Sequence, residues 1–157
     1  MACVEITTPQ LGERLWATGY RQTERSECAT LSMFNTSGCV TGVHLEGRGS
    51  RLLGPCIEVA METYGGMSGG PVFNEDGRLI GIVSSGIASD DARGPTFVSL
   101  IWPALVAEVD AGWPSQLWEK GVASLKQAQA TRLARVRGDV RWERERGVLT
   151  AYREESD

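Results

Sequence analysis

The sequence has little that could bind a metal ion. Its 157 residues include a single histidine, His44, and none of its four cysteines forms a Cys-x-x-Cys pair. Zinc and related sites are usually built from several such ligands at short spacing, so we expect no metal and no cofactor. The cysteines fit buried or free thiols in a reducing compartment, although spacing alone leaves a disulfide possible.

Long apolar runs are also missing. No stretch is long enough to cross a bilayer, and the first residues, "MACVEITTPQ", lack the basic start and apolar stretch of a secretory signal. The net charge of -4 and the pI of about 5.1 give no general attraction to nucleic acid or to anionic membranes. We therefore expect a cytoplasmic protein with neither kind of partner.

Most of the chain has the pattern of short β-strands. Apolar runs such as "RLWATGY", "CVTGVHLEG", "CIEVAMETY" and "TFVSLIW" alternate with turn residues. The segment "NEDG" between "PVF" and "RLIGIV" is the clearest hairpin, because Asp-Gly suits the tight turn that matches strand twist. Several short strands at close spacing predict a barrel or a sandwich, in a domain spanning residues 1–112.

The remaining residues, 113–157, have a different pattern. Ser115 follows Pro114 and can cap a helix, and apolar residues then recur at roughly helical intervals from Trp118 to Val140. Basic and acidic residues are interleaved on the other positions, as in "RVRGDVRWERERG", which favours a solvated helix over a nucleic-acid surface. The prediction is therefore an α-helical C-terminal extension.

One serine lies in an unusual setting. Ser68 belongs to "YGGMSGGPVFNEDGRLIGIVSSG", where glycines surround it and a strand follows. A nucleophilic serine needs an exposed hydroxyl, nearby backbone N–H groups and open space. Neighbouring glycines favour all three, because without a Cβ they let another chain approach closely and allow unusual backbone angles. The G-x-S-x-G pattern also marks the nucleophile elbow of α/β-hydrolases, but that elbow needs a following helix and a later histidine, and this sequence has neither.

The longer block resembles the nucleophile block of the trypsin-like serine peptidases, in which G-[DN]-S-G-G-P-V is followed by a hairpin and an apolar strand. The likeness extends over roughly residues 10–107, where "LGERLWATGY" and "GPTFVSLIWPAL" resemble the first and closing strands of that family's C-terminal barrel. The resemblance implies a single antiparallel β-barrel and peptide-bond hydrolysis as the activity.

The resemblance also implies roles for particular residues. Ser68 would be the nucleophile, and the backbone N–H groups of Gly66 and Ser68 would form the oxyanion hole. Glu62 falls where the family places the base of its primary specificity pocket, although a surface carboxylate is the simpler interpretation. The strand that pairs with substrate would consist of Ser84, Ser85 and Gly86.

The sequence departs from the family at three points. Met67 stands where the family commonly has Asp or Asn. A buried acid there would lock the oxyanion loop through an ion pair, which Met cannot form, so packing must hold the loop here. His44 lacks the usual setting of the catalytic histidine and is a weak candidate for the base, and no aspartate precedes Ser68. The resemblance therefore covers only the serine-bearing half of a peptidase.

Two functions follow from this incomplete set. The chain is either the serine half of an endopeptidase, inactive or very weak alone, or a protease-fold module that does no chemistry and binds or scaffolds through its strand edge and its C-terminal helix. Expected partners are a peptide or protein substrate and either an N-terminal barrel or a second copy. Either one would cover the face that the first barrel covers in the full fold.

Overall fold

A computed structural model describes residues 3–25, 28–86, 94–105, 135–138, 140–145 and 148–153. The chain divides into two compact units, one of Pro9–Ile101 and one of Met1–Thr8 with Trp102–Asp157. In chain order the elements are β1 (Cys3–Ile6), β2 (Arg14–Arg25), β3 (Cys28–His44), β4 (Cys56–Ala60), β5 (Pro71–Phe73), β6 (Leu79–Gly86), β7 (Thr96–Leu100), a 3₁₀ turn (Trp102–Leu105), β8 (Arg135–Gly138), β9 (Val140–Glu145) and β10 (Val148–Arg153).

The unit Pro9–Ile101 is a closed antiparallel β-barrel of six strands. The strand order is β5-β2-β3-β4-β7-β6, and pairing between β5 and β6 closes the barrel. Along β2, Leu15 and Ala17 are buried while Trp16 between them is exposed, which is the alternation of a strand with one face in a core. The mainly β fold and the single antiparallel barrel predicted from the sequence are confirmed.

The predicted Asn-Glu-Asp-Gly hairpin joins β5 to β6. The Asn74 side-chain oxygen accepts the N–H groups of Asp76 and Arg78 at 3.2 and 3.0 Å, and the Gly77 N–H donates to the Asn74 carbonyl at 3.0 Å. Asparagine at the first turn position makes such bonds readily, and Gly77 has the positive φ of 68° that the turn requires. This hairpin sets the register of β6 beside the Ser68 loop.

Part of the predicted helical extension is wrong, because its described residues form β-strands in the unit of Met1–Thr8 with Trp102–Asp157. The described residues between 135 and 153 form β8, β9 and β10, with β8 parallel to β1 and β9 antiparallel to β10. Val140, Trp142, Val148 and Tyr152 are strand-favouring residues, and the pairing of Glu145 with Val148 leaves two residues for the hairpin connection. This local pattern outweighs the weak helical spacing assumed for Val136 and Val140.

The rest of the extension is not described. Residues 106–134, including Trp113 and Trp118, lie outside the described residues, so the helix there and the domain boundary between 112 and 113 stay predictions. In the portion of the chain that is described, no helix has the length and apolar character needed to span a membrane.

Candidate active site

The loop that carries Ser68 is fixed to the barrel through backbone hydrogen bonds. The Gly69 N–H donates to the Val83 carbonyl at 2.7 Å, and the Val83 N–H donates to the Gly70 carbonyl at 2.8 Å. A third bond, from the Gly70 N–H to the Met67 carbonyl at 2.9 Å, tightens the turn. Ser68 stays exposed at the tip, so its hydroxyl is accessible while its backbone is held by β6.

Gly66 is required by the shape of this loop. Its φ is +97°, and a Cβ atom placed on it would lie 2.6 Å from the Tyr20 carbonyl oxygen of β2. An L-residue with a side chain rarely adopts this backbone conformation, and the close approach of β2 leaves no room for one. The glycine therefore allows the turn before Ser68 to pack against the barrel wall.

Two backbone donors beside Ser68 are not engaged. Among the hydrogen bonds of the described residues, the N–H groups of Met67, Gly69 and Gly70 all donate, whereas those of Gly66 and Ser68 do not. Unpaired N–H groups carry positive partial charge, and here two of them lie within three consecutive residues that end at an exposed serine. Such an arrangement is suited to binding an oxyanion.

Met67 anchors the loop from inside. Its side chain is fully buried, and it packs against Gly19 of β2, where even a single added carbon would come within 3.2 Å of Met67 atoms. Its sulfur accepts the Tyr64 N–H at 3.4 Å, and its own N–H donates to the Tyr64 carbonyl at 3.1 Å. The loop is thus held by packing, as the methionine at this position predicts.

Tyr64 connects this anchor to the β2–β3 hairpin. Its ring meets Phe34 edge-on with the centroids 5.0 Å apart, and the Arg21 guanidinium lies 4.0 Å from its centroid. Its hydroxyl donates to the Glu62 carboxylate. That hydrogen bond, with smaller contributions from desolvation and the Glu62 charge, raises the pKa of Tyr64, and the Arg21 charge opposes the rise.

The raised pKa makes a prediction for alkaline pH. A raised folded-state pKa means that the contribution of neutral Tyr64 to stability is complete below the unfolded value and is lost as pH rises through the folded one. We expect the ultraviolet absorbance titration of the three tyrosines to contain a step above the ordinary pKa, and Tyr64→Phe to remove it. Tyr20→Phe is the control, and loss of the late step there instead would contradict the assignment.

Ser68 lines a groove of about 420 Å³. None of the lining residues carries a charge. They are Thr18, Gly19, Tyr20, Met33, Gly66, Met67, Ser68, Gly69, Gly70 and Pro71. The sequence patterns did not single out Tyr20 and Met33, because both lie in an ordinary strand pattern and only their exposure distinguishes them.

Glu62 lies in a different groove. That groove, of about 620 Å³, also contains a second carboxylate, Glu58, and none of its lining residues borders the Ser68 groove. Glu62 is exposed and accepts the Tyr64 hydroxyl. The structure therefore does not bring it into the groove that holds Ser68.

Ser84, Ser85 and Gly86 are the last residues of β6. They directly follow Val83, whose backbone bonds the Ser68 loop, so the structure places them next to that loop along the strand. On one side they join β7, with Ser85 opposite Phe97 and Gly86 opposite Thr96.

His44 is at the far end of β3 from the groove. Met33 of the same strand lines the groove, and eleven residue-to-residue steps of about 3.3 Å separate it from His44, roughly 36 Å along the strand. The His44 Nε2 atom lies 3.8 Å from a Glu58 carboxylate oxygen, has no hydrogen-bond partner among the described residues, and is buried. The Arg48 guanidinium forms an ion pair with the same Glu58 carboxylate. The structure thus places His44 in a β3–β4 contact and does not bring it to Ser68.

A known protein family matches the N-terminal half of the chain. Residues 3–82, just over half of the chain, match the model of the trypsin-like peptidase domain. Among solved structures the chain is similar to a catalytically active tobacco etch virus protease complexed with product, at 15% identity and a TM-score of 0.38; the match covers 77% of this chain and 44% of that one. No curated protein matches. With the domain match covering half of its length, the chain belongs to the trypsin-like peptidase domain family.

Proposed function

We propose that this chain supplies the nucleophile and the oxyanion hole of a serine endopeptidase site. The observation that carries the proposal is that the backbone N–H groups of Gly66 and of Ser68 itself donate no hydrogen bond among the described residues, in a loop whose serine is exposed. Each such donor contributes about 3 kcal/mol to transition-state stabilisation in related sites. Among the described residues that follow Gly66 in the loop, the N–H groups of Met67, Gly69 and Gly70 already donate to backbone carbonyls.

The proposed reaction consists of acylation of Ser68, with release of the amine, followed by hydrolysis of the acyl-serine. Ser68 Oγ attacks the carbonyl carbon of a substrate peptide, and its proton passes to an imidazole base while the carbonyl oxygen becomes an anion held by the two N–H groups. The imidazolium then gives that proton to the leaving amine, and the C–N bond breaks. Water, deprotonated by the same imidazole, cleaves the acyl-serine and restores the hydroxyl.

The base in this proposal comes from outside this copy of the chain. His44 is the only histidine in the sequence, and its position at the β3–β4 contact leaves it away from the groove. An N-terminal barrel, in the same polypeptide or in a second chain, or another copy of this chain would supply the imidazole. Without it, the residual rate would come from the oxyanion hole and substrate binding alone.

Labelling by an alkyl fluorophosphonate, followed by intact mass, tests this proposal. We expect slow or undetectable labelling of the chain alone and a rate that rises with added imidazole, because imidazole can act as the external base. Ser68→Ala should abolish the labelling, while Ser50→Ala, at another exposed serine, should leave it unchanged. A labelling rate that does not change with imidazole concentration, or labelling that persists in Ser68→Ala, would contradict the proposal.

The alternative is a protease-fold module that binds peptides without cleaving them. The absence of His44 from the groove is the observation that favours it. It predicts that Ser68 stays unlabelled at every imidazole concentration although peptides still bind.

A further inference from the structure

Three large apolar side chains are exposed together on one face of the β2–β3 hairpin. Tyr20 is 55% exposed, Leu31 63% and Met33 69%. Tyr20 and Met33 are directly paired across the strands, and Leu31 is two residues from Met33, so all three share a face. We call these three residues the apolar strip.

The apolar strip is continuous with the Ser68 groove. Tyr20 and Met33 line that groove together with the serine, and no charged residue takes part in the lining. The hairpin is also fixed relative to the serine loop, because the Gln22 N–H donates to the Gly65 carbonyl at 3.2 Å and the Tyr20 carbonyl lies against Gly66. Backbone contacts therefore join the strand that carries Tyr20 to the loop that carries Ser68.

The opposite face of the same hairpin is already occupied. Arg21 and Phe34 pack on the Tyr64 ring, and Gly19 packs on Met67. The hairpin thus uses one face to hold the Ser68 loop and exposes Tyr20 and Met33 on the other. Exposed apolar groups at the edge of a binding groove are favourable contacts for an apolar ligand group.

We propose that the apolar strip is a substrate subsite, which takes an uncharged apolar side chain from a peptide residue close to the attacked carbonyl. This inference rests on the proposed function and names its substrate class. The strip is distinct from a specificity pocket based on Glu62, because Glu62 lies in a separate groove. The occupant is a peptide segment, since the strip borders the serine directly.

Peptide binding to the full chain carrying Ser68→Ala tests the subsite without any chemistry. The probes are capped peptides that differ only at one central residue, which is Leu, Gln, Glu or Lys. We expect the Leu peptide to bind about tenfold more tightly than the Gln and Lys peptides, from burial of one aliphatic side chain, and to shift the amide NMR signals of Tyr20, Met33 and the loop. Equal affinities for all four peptides would overturn the inference.

A charge placed in the strip gives the sharper test. Met33→Lys should remove the preference for Leu and create one for Glu, whereas Leu11→Lys, equally exposed at 69% but outside the groove, should change neither. Tyr20→Ser gives a second, uncharged variant, and circular dichroism checks that each variant is folded. If Met33→Lys instead abolishes self-association of the chain and leaves peptide affinities unchanged, the strip is an interface between copies and the inference is wrong.

The two proposals fail in different ways. A preference for Leu that depends on Met33, without imidazole-dependent labelling of Ser68, would keep the subsite and refute the peptidase chemistry. Labelling of Ser68 without any side-chain preference would do the reverse.

Discussion

Met67→Asp should destabilise the protein by about 3 kcal/mol or more at neutral pH, even though aspartate is common at this position in trypsin-like peptidases. The Met67 side chain is fully buried, and its polar contact is a single bond from the Tyr64 N–H to its sulfur. A carboxylate there would lose its hydration and gain at most that one donor. Urea unfolding followed by circular dichroism measures the loss.

The pH dependence of this variant identifies the cause. Burial favours the protonated form of the introduced carboxyl, so the folded state binds a proton more tightly than the unfolded state does. The deficit should therefore shrink as pH falls from neutral toward the acid range. Met67→Leu, which keeps volume and apolar character, should cost less than about 1.5 kcal/mol with no such pH dependence. A fully stable Met67→Asp variant at neutral pH would show that the loop is not held by a buried apolar side chain.

Gly66→Ala should have the second large effect. The added Cβ would lie 2.6 Å from the Tyr20 carbonyl oxygen at a φ of +97°, so the loop must move away from β2. We expect a loss of about 2–3 kcal/mol in stability. If the N–H group of residue 66 moves from its place beside Ser68, imidazole-dependent labelling should also fall, by about 100-fold.

Gly65→Ala is the matched control for that variant. Gly65 is adjacent in sequence, its φ is not positive, and an added Cβ would meet no atom within 4 Å. We expect its stability to stay within about 0.5 kcal/mol of the parent and its labelling to be unchanged. Equal effects at both glycines would mean that the close approach of β2 does not shape the loop.

The barrel could be predicted because its signals are local. The Asn74–Gly77 turn carries its own hydrogen-bonding side chain, and the alternation along β2 marks a half-buried strand. The loop around Ser68 could be anticipated in the same way, because glycines at fixed spacing indicate where the backbone approaches another strand.

The site's wider surroundings depend on contacts between distant segments, which one sequence does not reveal. Tyr20 and Met33 line the same groove as Ser68 through the register of β2 with β3, and Glu62 lies with Glu58 in a separate groove. The strands between 135 and 153 were missed for a related reason. Val136 and Val140 fit a helical spacing about as well as an alternating one, and pairing of β8 with β1 and of β9 with β10 decides between them.

A crystal structure of the phosphonylated chain, prepared with imidazole present, would test the central claim most directly. We predict a phosphonyl group on Ser68 Oγ, with one of its oxygens about 2.7–3.1 Å from both the Gly66 and the Ser68 nitrogen atoms. A phosphonyl oxygen directed into solvent, with those two nitrogen atoms hydrogen-bonded elsewhere, would contradict it.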